Sequence, residues 1–256
     1  MISRRAAGTA ALALLAAPAR AQPASPRITR ACAGTLYLTI DTGWSREADF
    51  IAAAMARHGI RATLFLANEP TYRGDRQIEA GWAPFWRARA AEGHVFGSHT
   101  WRHWYFRGDA GAGRVAYGSR RNEGQAVLDA QALCTELTQP TEALRRLVSE
   151  ATVLPLWRAP GGITSPGLLR MAEACGLHHQ GWTSNGFLGD ELASEAQPNA
   201  SLLRQNLARI RDGEVLMMHW GVRSRREPFG LVFEQLIAGL LDRGFCFATL
   251  PAGGIR

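Results

Sequence analysis

The residues of this chain with most to say about chemistry are His99 and His103, four apart in the run Gly97-Ser98-His99-Thr100-Trp101-Arg102-His103. With a helix beginning at Ser98, that spacing sets both imidazoles on one face, where they can grip one cation. The spacing alone is weak, because ordinary core and surface histidines share it. Three further groups fall at comparable places. Asp41 closes a β-rich run, Thr35-Leu36-Tyr37-Leu38-Thr39-Ile40. Arg158 follows the apolar run Val153-Leu154-Pro155-Leu156-Trp157, and His219 follows Glu214-Val215-Leu216-Met217-Met218. Taken singly, Asp41 reads as a helix cap, Arg158 as a surface ion-pair partner and His219 as a satisfied strand-end histidine. Their common position at the ends of apolar runs argues for one site, since working residues of a parallel barrel sit where strands end.

The elements that must position them alternate along the chain. Strands are expected at 35–40, 60–66, 94–97, 153–157, near 181–182, at 214–218 and at 245–250. Helices are expected at 48–58 (stopped by Gly59), 85–92, 122–137, 166–175 (closed by Gly176), 202–211 and 232–243. Such alternation with short glycine-marked turns predicts parallel strands, right-handed crossovers and one α/β barrel-like domain. The segment 105–121, with Gly108, Gly111, Gly113 and Gly118, reads as a mobile loop near the site.

The first residues read as an export signal: Arg4 and Arg5, an apolar run, then Ala19-Arg20-Ala21 as a small-x-small cleavage site. Ser3-Arg4-Arg5 also resembles a twin-arginine signal, while an ordinary secretory signal explains the same residues; both place the protein in the periplasm or outside the cell. The run is too short to span a bilayer, so no membrane span is expected. The expected layout is signal 1–21, a Pro- and Ser-containing lead-in 22–34 with little order, and a catalytic domain 35–256. Loss of Arg4, Arg5 and Arg20 lowers the formal charge from +7 to +4. That is too mild to argue for nucleic acid, and no basic run interleaved with aromatics supports it. Every basic residue except histidine is arginine. Four cysteines, Cys32, Cys134, Cys175 and Cys246, include no Cys-x-x-Cys. Outside the cytoplasm they can pair in three ways. Cys134 with Cys175 is preferred, because both lie near the ends of helices that are neighbours in a barrel; free buried thiols are the alternative.

Five stretches, in order, resemble the motifs of the polysaccharide deacetylase family, the NodB-homology domain of carbohydrate esterase family 4. Leu38-Thr39-Ile40-Asp41-Thr42-Gly43 is similar to its Thr-Phe-Asp-Asp-Gly, and Ser98-His99-Thr100-Trp101-Arg102-His103 to its His-Ser/Thr-x-x-His. Trp157-Arg158-Ala159-Pro160-Gly161-Gly162 resembles Arg-x-Pro-x-Gly, and Val215-Leu216-Met217-Met218-His219 resembles Leu-x-Leu-x-His. Gly181-Trp182-Thr183-Ser184-Asn185 is a faint echo of the remaining motif, whose acid is Asn185 or is displaced to Asp190. The resemblance implies a distorted (β/α)7-8 barrel and hydrolysis of an N-acetyl amide on an amino-sugar polysaccharide. It implies a divalent metal, zinc by family norm, on His99 and His103; Asp41 as base; Arg158 orienting it; and His219 as acid. Val215 and Met217 would line a pocket for the acetyl methyl, with Trp101, Pro160, Gly161 and Trp182 also at the substrate. Thr42 stands where the family has a second Asp, the third metal ligand, so a weaker metal site is expected. Of the tryptophans, Trp44, Trp101, Trp104, Trp157, Trp182 and Trp220 lie in or beside motifs, where packing competes with sugar stacking. A catalytically silent glycan-binding module and an amidase for a small non-sugar amide are the alternatives.

Overall fold

The computed structural model describes residues 31–255, so the signal-like segment and most of the lead-in lie outside the described residues. In chain order the strands are β1 (Gly34–Asp41), β2 (Thr63–Leu66), β3 (Val95–Ser98), β4 (Tyr105–Asp109), β5 (Val115–Gly118) and β6 (Gln125–Leu128). They continue with β7 (Val153–Trp157), β8 (His178–His179), β9 (Val215–His219) and β10 (Phe245–Ala248). The helices are α1 (Ala48–His58), α2 (Ala83–Ala91), α3 (Ala130–Leu147), α4 (Pro166–Ala174), α5 (Asn199–Arg209) and α6 (Gly230–Asp242). Seven strands form one curled parallel sheet, in the order β10-β1-β2-β3-β7-β8 with β9 also on β1. Beyond β8 the chain runs along β9, with Leu188 N–H donating to the Met217 carbonyl and Met217 N–H to that of Gly186. The result is a distorted (β/α) barrel.

Register decides which residues share the barrel's mouth. Asp41 sits opposite Phe65 on β2 and opposite His219 on β9, while Leu66 pairs with Ser98 and Ser98 with Trp157. The carboxyl ends of β1, β3, β7 and β9 are therefore level, and Asp41, His99, Arg158 and His219 emerge together there. Alternation sends Leu216 and Met218 outward into the main core with the helices. That core takes Ile51, Ala52 and Met55 from α1, which ends at Gly59 in the left-handed region (φ 64). Trp220 is buried edge-on against Phe85 at 5.3 Å and anchors the chain just past His219.

Some expectations fail, among them the strand near 181–182, which lies at His178–His179 instead. The segment 105–121 is no loop: β4, β5 and β6 form a three-stranded antiparallel sheet whose inner face, Phe106, Val115, Tyr117 and Leu128, packs on α3 and α4. The helix expected at 122–137 begins only at Ala130, after β6, because Asp129 caps it by accepting from the Ala132 N–H at 2.9 Å. The end of the lead-in is also ordered: Ala33 N–H donates to the Gly244 carbonyl and Cys32 is bonded to Cys246. Cys134 is bonded to Cys175, as expected.

Candidate active site

Arg158 leaves β7 with no exposed surface at all. It donates to the Gln180 carbonyl at 3.0 Å, the Gly181 carbonyl at 3.0 Å, Thr39 Oγ1 at 2.8 Å and Asp41 Oδ1 at 2.9 Å. Its guanidinium also lies 4.3 Å from the centre of the Phe65 ring. A buried charge is tolerable only when so fully partnered, and a surface ion pair is ruled out. Burial alone would raise the Asp41 pKa, but the charge of Arg158, with His99 and His219, holds it below the usual carboxylate value. Asp41 is thus an ionised, oriented carboxylate at the mouth.

Across from it, His219 presents its backbone N–H and Nδ1 to one oxygen of Asp190, at 2.6 and 3.1 Å. Burial opposes protonation of this imidazole, yet the Asp190 carboxylate outweighs it and raises the pKa to about 10. With Nδ1 engaged, Nε2 is the nitrogen left to give a proton to the cleft. Asn185, the other candidate acid position, instead donates to Glu214 at 2.9 Å.

The two histidines meet without a helix. Ser98 ends β3, and a loop with Thr100 and His103 at positive φ (65 and 56) folds back to bring their rings 4.7 Å apart. His99 Nδ1 donates to the Arg158 carbonyl at 3.0 Å, which fixes its tautomer and leaves Nε2 bare. Burial pushes the His99 pKa down to about 3, so the ring is neutral. Its Nε2 faces His103 Nε2 at 3.2 Å and Asp41 Oδ2 at 3.6 Å.

A family model for polysaccharide deacetylases matches residues 29–179. The chain belongs to the polysaccharide deacetylase family. It is accordingly a hydrolase of N-acetyl amide bonds. Among solved structures it is similar to a family 4 carbohydrate esterase from Streptomyces lividans in complex with acetate, at 20% identity, 88% coverage of this chain, 97% of that one and TM-score 0.63. It is also similar to the Bc1960 peptidoglycan N-acetylglucosamine deacetylase (19% identity, 86% and 87% coverage, TM-score 0.64). A third likeness is to BA3943, a family 4 pseudoenzyme from Bacillus anthracis (15% identity, 84% and 63% coverage, TM-score 0.61). At such identities these likenesses establish the fold. No curated protein gives a significant match.

The polysaccharide deacetylase family implies a divalent metal, and the residues present fit one incompletely. Two ligands of a tetrahedral zinc stand roughly 3.4 Å apart, and the facing Nε2 atoms of His99 and His103 are 3.2 Å apart. At that distance the two nitrogens either share a proton in a hydrogen bond or hold a cation between them. A third ligand is wanting: Thr42 is buried and its Oγ1 accepts from the Ala67 N–H at 3.0 Å. Among the described residues no group of three or more His, Cys, Asp or Glu is placed to hold a metal.

His103 and His219 line an open cleft of about 690 Å³ with Trp44, Glu69, Trp104, Tyr105 and Arg223. None of the six residues expected at the substrate lines it. Val215 and Met217 are buried below His219 and do not line the open cleft. Trp101 packs against the main core and Pro160 is buried. Gly161 (φ 65) makes room for Tyr105, whose ring would lie 2.3 Å from an added Cβ. Trp182 packs in the inner cluster beside Arg158. Of the other motif tryptophans, Trp44 and Trp104 reach the cleft, whereas Trp157 and Trp220 are core. Sequence reading passed over Glu69 altogether, although a carboxylate just past the strand end at Leu66 carried the same signal as Asp41.

Proposed function

We propose that this protein is an exported, metal-dependent deacetylase that removes N-acetyl groups from an amino-sugar polysaccharide such as peptidoglycan, a chitin-like chain or an exopolysaccharide. The observation that carries this reading is the pairing of an ionised Asp41 with a protonated His219 on adjacent strands, in register at one mouth. A divalent cation on His99 and His103, zinc by family norm, would polarise the amide carbonyl and acidify a water when bound. Asp41, held by Arg158, takes the proton from the attacking water. His219, held by Asp190, delivers a proton to the departing sugar amine, which leaves neutral. The displacement of their pKa values in opposite directions suits these jobs, because each group is already in the state its step needs.

Two disulfides support an oxidising compartment, in keeping with the export signal read at 1–21. No helix among the described residues is long and apolar enough to cross a membrane. The open cleft, with Trp44, Trp104, Tyr105, Arg102 and Arg223 in its lining, supports a glycan as the substrate.

The test is acetate release from N-acetylglucosamine oligomers by metal-loaded protein. Asp41→Asn keeps the shape and removes the base, so the rate should fall at least ~100-fold. Acetate release that survives this change would overturn the assignment of the base. Glycan binding without acetate release by wild type would overturn the proposed activity.

A further inference from the structure

Glu69 follows β2, is 8% exposed, and sends its carboxylate toward the back of His103, with Oε2 3.5 Å from His103 Nδ1. Among the described residues it makes no other ion pair, and its Oε1 is buried without a hydrogen-bond partner. Nothing in the core calls for a carboxylate there, and burying one half-satisfied is costly. The position becomes intelligible through the tautomers of the two histidines. His99 keeps its proton on Nδ1 for the Arg158 carbonyl, so its Nε2 is bare. A neutral His103 then has two choices. With the proton on Nε2 it bonds to His99 but turns a lone pair toward Glu69. With the proton on Nδ1 it satisfies Glu69 but leaves two lone pairs facing each other. A cation between the Nε2 atoms makes the second choice comfortable, and that choice also gives Glu69 its proton; without a cation, only a second proton on His103 Nε2 satisfies both neighbours.

On the reading that His99 and His103 hold a divalent cation, we infer that Glu69 is a positioning residue for that site. Its carboxylate accepts the Nδ1 proton of His103, fixes the ring with Nε2 bare toward the cation, and supplies from behind a ligand the negative charge that Thr42 does not supply directly. Outer carboxylates of this kind raise the basicity of a ligating imidazole and are worth 10- to 100-fold in metal affinity. The charge has thus moved from the first motif to the loop after β2.

The experiment titrates zinc alone, against a chromophoric chelator, into full-chain wild type, Glu69→Gln and His99→Ala. In parallel, proton and nitrogen-15 spectra of the zinc-loaded proteins follow the His103 Nδ1–H. Glu69→Gln should weaken zinc binding by about 10- to 100-fold and shift the Nδ1–H proton resonance upfield, as loss of a charged acceptor does, with the circular dichroism spectrum unchanged. Zinc binding lost in His99→Ala but retained in Glu69→Gln would overturn the inference and leave the histidine site standing. Weaker zinc binding without the upfield shift would make Glu69 merely structural and overturn it too. A wild type that takes up no zinc would overturn the reading of the two histidines, and this inference with it.

Discussion

His219 stands at the end of β9 with burial working against its charge and Asp190 working for it. Its value of about 10 sets the sign of two effects. If His219 is the proton donor, kcat/KM should hold through neutral pH and fall as pH rises through about 10. In Asp190→Asn the largest charge favouring the imidazolium is gone while burial still opposes it, so that limb should move well below about 10, toward the ordinary imidazole value of roughly 6.5. At pH 8 kcat/KM should then fall at least ~10-fold; a pH–rate profile unchanged by the substitution would unseat Asp190 as the partner. Stability follows the same sign. The folded value lies above that of a free imidazole, so the pair stabilises most below about 6.5 and its contribution fades as pH climbs through about 10. Melting temperatures across pH for wild type and Asp190→Asn should converge on the alkaline side.

At the scale of elements, the loop between β3 and β4 carries His103 with two residues at positive φ, a conformation that L-residues resist. It is held by α3 and β5. Buried Glu136 of α3 accepts from the Arg102 N–H at 2.6 Å and from its guanidinium at 2.7 Å, and Tyr117 of β5 donates to Glu136 at 2.8 Å. The same hydroxyl accepts from the Trp104 N–H at 3.1 Å. Tyr117→Phe leaves a carboxylate and an amide short of a partner, a loss of about 1–3 kcal/mol. The melting temperature should fall by ~5 °C, and thermal denaturation followed by circular dichroism measures it. This loop also marks where sequence stops being legible. Local periodicity and caps predict α1 to the residue, and strand-end position brings Asp41, His99, Arg158 and His219 together. The spacing of His99 and His103 predicts a helix, yet pairing of Ser98 with β2 and β7 commits the chain to a strand up to that residue. Likewise Gln125-Ala126-Val127-Leu128 has helical company in sequence and becomes β6 because β5 offers it an edge. Long-range pairing, absent from any short window, decides both.

For the whole molecule the two disulfides do different work. Cys32–Cys246 closes a span of 214 residues and Cys134–Cys175 one of 41. Because loop entropy grows only with the logarithm of length, their expected contributions are about 5 and about 4 kcal/mol at most. Removing either pair by double substitution to alanine should therefore lower the melting temperature by comparable amounts, roughly 5–15 °C. Their effects on the site should differ. Cys246 pairs beside Thr35, at the start of β1 and the opposite end of the barrel from Asp41. Cys134 lies two residues before Glu136, on the helix that holds the His103 loop, and its bond fastens that helix to the end of α4. Loss of Cys134–Cys175 should loosen zinc binding several-fold at a temperature well below unfolding, while loss of Cys32–Cys246 leaves it unchanged. Chelator competition on the two double variants checks this. Equal loosening in both would mean that the barrel transmits strain from end to end, and that α3 has no special hold on the site.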